Sequence, residues 1–200
     1  MVTKEILRSV FIGILIGAAA ILLALLLIWY GLGSSYKGNA KDEAEIKDVI
    51  TRAVDKTHNV YILPQLYNSL PDEKIPDNIK QAQFAKITDE LADVYSGGLL
   101  KTRIDQMQGA IEGQELQKFR VTDGGVKKAE NIKIDVDEEK AYVEADIWTW
   151  VKFFDNKITI NKKKTGISES GKHYTFILAK EEGKWKIISE AFNHLPGEEP

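Results

Sequence analysis

The sequence predicts an α+β domain carried behind one N-terminal transmembrane helix. Three observations predict it. An uncharged run of 21 residues, Val10–Tyr30, precedes a chain rich in Lys, Glu and Asp. Apolar residues then recur at helical spacing as far as Ile111. From Ile132 onward the period changes to two, the spacing of half-buried strands. Helices gathered ahead of strands, rather than alternating with them, give the α+β order, here about three helices on an antiparallel sheet.

Composition narrows the function classes. The 200 residues are 44% hydrophobic and 28% charged, with a net charge of −3, so no global positive field is available to hold nucleic acid. There is no cysteine. That excludes disulfides, a thiol nucleophile, Cys-ligated zinc, iron–sulfur clusters and lipid attached to cysteine.

As a helix, residues 10–30 would be roughly 31 Å long, about the thickness of a hydrocarbon core. A cleaved signal peptide would have an apolar region of about 7–15 residues ending in small residues. This run is longer and ends in Trp29-Tyr30, which suit the headgroup level, and Gly38-Asn39-Ala40 lies too far on to serve as its cleavage site. The reading is therefore a retained anchor in contact with membrane lipid. Lys4 and Arg8 place the 1–9 tail in the cytoplasm, which sends the large domain outside it. Gly13 and Gly17 form a GxxxG, and Ala20 and Ala24 continue the small-residue stripe. Such a stripe lets two helices approach closely, as in a homo-oligomer or a contact with another membrane protein; facing lipid is the alternative. Residues 31–40, with GLGSS and Lys37-Gly38-Asn39, read as a tether. The domain is expected over 41–195, with a 196–200 tail.

Within the domain, Ile46, Val49, Ile50, Ala53 and Val54 share one face, so Lys41–His58 reads as a helix. Val60–Leu70 is irregular or a short helical turn bounded by prolines. Asp77 is an expected N-cap for a helix carrying Ile79, Phe84, Ile87, Leu91 and Val94 on one face. A third helix carries Leu100, Ile104, Met107 and Ile111, with Gly113 as its expected stop. Ile132, Ile134 and Val136 begin the alternating region. Asp137–Lys140 is a turn, and Ala141–Phe154 is a long strand. Asn156–Lys172 is a polar connection with room for a short strand at Ile158–Ile160. His173–Lys180 and Trp185–Phe192 are strands joined at Glu181-Glu182-Gly183-Lys184.

This order, ending in GKWKIISEAF, resembles the nuclear-transport-factor-2-like superfamily. Gly183-Lys184-Trp185-Lys186-Ile187 resembles that superfamily's last-strand pattern. Val94–Leu100, Ala141–Val151 and His173–Ile187 also resemble extracytoplasmic members, including the intermembrane-space domain of chloroplast-division proteins. The resemblance implies a cone-type domain with helices on a curved antiparallel sheet. It carries no catalytic signature.

The superfamily includes enzymes resembling ketosteroid isomerase and polyketide cyclases, which use a carboxylate inside the cone. In the long strand, Ala141, Val143, Ala145, Ile147, Thr149, Val151 and Phe153 form the face suited to the interior, so its carboxylates turn away from the helices and no obvious acid is left in the cone for general-base work. The opposite face carries Tyr142, Glu144, Asp146, Trp148 and Trp150. Exposed aromatics there would anchor a protein partner. Cross-strand pairing, with the acids meeting lysines such as Lys186, is the competing account. Lys157, Lys162, Lys163, Lys164 and Lys172 gather on the expected connection, where they would touch an anionic surface or simply solubilise a loop. His58, His173 and His194 show no metal-ligand spacing, and no cofactor motif is present. The expected function is a non-catalytic extracytoplasmic binding or assembly module, single-pass in the cell membrane. One alternative resembles the scaffold component of type IV secretion or conjugation machines; another is an enzyme or small-ligand carrier using the cone cavity.

Overall fold

The computed structural model describes residues 40–155 and 165–198. The 10–30 span with Gly13, Gly17, Ala20 and Ala24, and the lysines Lys157, Lys162, Lys163 and Lys164, lie outside the described residues. Among the described residues no helix is long and apolar enough to cross a membrane.

Helix α1 is Ala40–Asn59, and it buries the predicted stripe from Ile46 to Val54. Asp42 and Glu43 in its first turn and Lys56 and His58 in its last suit the helix dipole. A single turn, α2 (Gln65–Asn68), follows Pro64. Helix α3 is Asp77–Ala92, with Pro76 rather than Asp77 in the N-cap position. A proline there has no amide to satisfy, and Asp77 acts on the dipole from the first turn instead. Helix α4 is Gly97–Leu116 and runs straight through Gly113. The left-handed residue that ends it is Lys118, at φ 56°, so the expected stop comes later than Gly113.

Four antiparallel strands follow in the order β1-β2-β3-β4. They are β1 (Phe119–Asp137), β2 (Lys140–Asp155), β3 (Thr165–Glu181) and β4 (Lys184–His194). Strand β1 begins at Phe119, well before Ile132, because three register shifts against β2 break its alternation. One sits beside Gly124, where α1 crosses closely: a Cβ there would stand 2.7 Å from the His58 carbonyl oxygen. Strand β3 begins at Thr165, so Lys172 belongs to a strand and not to the connection expected there.

The helices cover one face of the sheet. Ala141, Val143, Ala145 and Ile147 on β2 and Tyr174, Phe176 and Leu178 on β3 are buried beneath them with Trp185 and Ile187. Trp185 donates Nε1–H to Asp42 Oδ1 at 3.0 Å, and Lys180 Nζ reaches the same oxygen at 2.8 Å. The indole therefore enters the core with its polar atom satisfied.

Candidate functional site: the two faces of the sheet

The inner face ends in a polar cluster that a β-bulge creates. Leu178 pairs with Ile187 but Ile177 pairs with Ser189, so Ile188 is an extra residue in β4. Such an insertion reverses the facing of everything after it. Glu190, which strict alternation from Trp185 and Ile187 would turn outward, lies opposite Phe176 on the inner face. The expectation of an interior without an acid fails at β4, although Glu144 and Asp146 of β2 do face outward. Among the described residues Glu190 is the acid that the strands turn inward.

Its side chain is 4% exposed. Oε1 pairs with Arg103 Nη2 at 2.9 Å, and Oε2 accepts the Tyr95 hydroxyl at 3.0 Å. Arg103 also donates from Nη1 to Gln106 Oε1 at 2.7 Å, and its guanidinium lies 5.9 Å from the Tyr95 ring centroid. Tyr95 stands between α3 and α4, held by the strand-like pairing of Val94 and Ser96 with Ile187. Burial, and then the Glu190 charge, push the phenols of Tyr95 and Tyr174 far above the usual tyrosine range.

Lys172 and His58 face the same neighbourhood. Lys172 Nζ rests 4.1 Å from the Phe192 ring centroid. Burial draws its ammonium pKa down; Glu190 opposes this and Arg103 adds to it. His58 Nδ1 donates to the Val54 carbonyl at 2.8 Å. Burial lowers this imidazole, and the charges of Lys172 and Arg103 act in the same direction. Beyond the cluster, a cleft of about 410 Å³ is lined by Tyr61, Gln114, Phe119, Val121, Val151 and Phe153, among others. It is largely apolar and brings no acid or base. No three His, Asp or Glu side chains among the described residues converge as metal ligands.

The outer face is built from cross-strand pairs. Trp148 receives Lys128 Nζ over its ring at 3.8 Å. The indole lies across Gly171, where a Cβ would meet Nε1 at 2.6 Å. Asp146 accepts from Asn131 Nδ2 and from His173 Nδ1, both at 2.7 Å. Those two hydrogen bonds, in that order, hold its carboxyl below the usual aspartate range. Glu144 pairs with Lys133 at 3.3 Å. Lys186 takes no part; it donates to the Ala92 carbonyl. Tyr142 is 47% exposed, and Trp150 is half-buried.

No family model and no curated protein matches the chain. Solved structures do. The Kfla4162 protein of Kribbella flavida is similar at TM-score 0.51 and 10% identity, over 78% of this chain and 93% of that one. The likeness is one of fold. A putative dehydratase of the NTF2-like family from Streptomyces avermitilis matches at TM-score 0.43 and 8% identity, over 78% and 97%. CagV of Helicobacter pylori, described as a VirB8 homolog of a type IV secretion system, matches at 0.41 and 12%, over 74% and 98%.

Sequence reasoning placed Tyr142, Glu144, Asp146, Trp148 and Trp150 together, and they share the outer face of β2. It grouped Lys172 with lysines of a loop, whereas Lys172 sits opposite His194 on the inner face. It missed Glu190, Arg103 and Tyr95 as a group. An arginine on a helix and a glutamate on a strand 87 positions later (190 − 103) leave no local pattern.

Proposed function

We propose that this chain is a non-catalytic binding and assembly module, held at a membrane by residues 10–30 with its nuclear-transport-factor-2-like domain outside the cytoplasm. The outer face of the sheet is the partner surface. The observation that carries this reading is the Trp148 platform: an indole fixed between Lys128 and Gly171 on a face that no helix among the described residues covers. A rigid, partly exposed tryptophan is the kind of anchor that dominates protein interfaces, because little side-chain freedom is left to lose on binding. The inner face argues against proton-transfer chemistry. Glu190 is 4% exposed, with one oxygen on Arg103 and the other on Tyr95, so it is tied into the fold and poorly placed to reach a substrate.

The test is the mass and composition of the complex extracted from native membranes in mild detergent. Wild type should run as a discrete assembly with other membrane proteins. The double variant Trp148→Ala/Trp150→Ala should lose them while its thermal unfolding stays cooperative. A wild-type chain that runs alone would sink the proposal.

A further inference from the structure

The polar cluster on the inner face leaves one cation without a counter-ion among the described residues. Among the described residues Lys172 Nζ makes no hydrogen bond or ion pair; its contact is the face of Phe192, at 4.1 Å. An aromatic face is a weaker partner for an ammonium than a carboxylate is. The acid on this face, Glu190, is committed to Arg103 and Tyr95. Arg103 Nε is also buried without a partner. Lys172 and Arg103 therefore share the field of one carboxylate, Glu190, while Asp55 acts on the neighbouring His58. Lys172 is half-buried, and Phe192 beside it is 44% exposed, so among the described residues the pair can be reached from solvent.

We propose that Lys172 and Phe192 form a binding site for an organic carboxylate that carries an aromatic or apolar group. The carboxylate sits against the Lys172 ammonium. The apolar group lies on Phe192, whose ring already leans against Tyr174 at 5.5 Å between centroids. Arg103, turned away toward Glu190, adds favourable field without contact. Inorganic phosphate is disfavoured, because it has no apolar group to lie on the Phe192 ring beside the ammonium. The site is distinct from the outer-face platform and does not depend on it.

The experiment is a calorimetric titration of the full chain in detergent with sodium benzoate, with benzyl alcohol and inorganic phosphate as controls. Benzoate should bind at one saturable site, with benzyl alcohol and phosphate markedly weaker. Lys172→Met should weaken benzoate about tenfold or more, the loss typical of one charged hydrogen bond. Phe192→Ala should weaken it several-fold. Neither residue is wedged in the core, and unchanged thermal unfolding of each variant establishes that it folds. N-acetylphenylalanine distinguishes the source of the carboxylate. Competition with benzoate shows that the site also admits the carboxylate of an acylated chain terminus; benzoate binding without competition restricts it to a free small acid. Absence of saturable benzoate binding, equal affinity for benzyl alcohol, or undiminished binding by Lys172→Met would each overturn the proposal.

Discussion

The two faces of this sheet use the same chemistry in opposite ways. Inside, one carboxylate, one guanidinium and one phenol are enclosed together, so each depends on the others. Outside, acids and bases pair strand to strand in the open, where water can replace any partner. The outer Lys133–Glu144 pair has side chains 78% and 50% exposed, against 16% and 4% for Arg103–Glu190. Burial raises what is lost when one partner goes, because the survivor cannot be resolvated. The inner pairs therefore hold the fold together, and the outer ones shape a surface.

The largest test of this contrast is Arg103→Met. It strands Glu190 without its counter-ion, and urea denaturation should show a loss of about 3–5 kcal/mol. Adding Glu190→Leu should recover most of that loss; a double variant no better than the single would show that packing rather than charge sets the effect. Next is Gly124→Ala, where a Cβ would press on the His58 and Trp150 carbonyl oxygens at 2.7 and 3.1 Å. Neither backbone group can swing aside, so roughly 1–3 kcal/mol of destabilisation is expected from overpacking.

Acidification should separate the faces by pH. His58 has its folded pKa pushed below the ordinary 6.5, so the unfolded chain binds a proton first. The stability that His58 contributes is complete above about 6.5 and falls as pH descends toward its folded value. Asp146 on the outer face is also lowered, from 3.8, so its contribution persists until pH falls below about 4. Denaturation midpoints taken from pH 7 to pH 3 should show the inner loss first, and His58→Phe should remove it. The smallest effect is expected outside: Glu144→Ala should change stability by about 0–1 kcal/mol, as exposed pairs do. A larger loss there would mean that the outer ladder is structural and not an open surface.

Much of this contrast was legible in the sequence. Strand β2 announces its two faces because its alternation is unbroken, and the stripe from Ile46 to Val54 announces α1 because a helix with one buried side must repeat that way. Strand β1 was half hidden, since its register shifts scatter apolar residues off the two-residue period. The inner cluster was wholly hidden. One extra residue at Ile188 decides whether Glu190 faces water or core, and a bulge in a Lys-Ile-Ile-Ser stretch has no composition of its own. Lys172 was misplaced because β3 starts in Thr, Gly and Ser, residues that read as loop and lie in the strand because β2 extends beside them.

The clasp of Asp42 on Lys180 and Trp185 has a consequence for how the domain is made. It joins the first turn of α1 to the β3–β4 hairpin, across 138 and 143 positions of chain. On the ribosome, α1 emerges early and must wait for nearly everything else before its buried stripe finds the sheet. Contacts so distant in sequence slow folding and lengthen the time for which apolar surface is unprotected. A stop codon placed before Trp185 would therefore release α1 with no partner to cover it, and such a truncated chain is expected to be taken by chaperones or proteases.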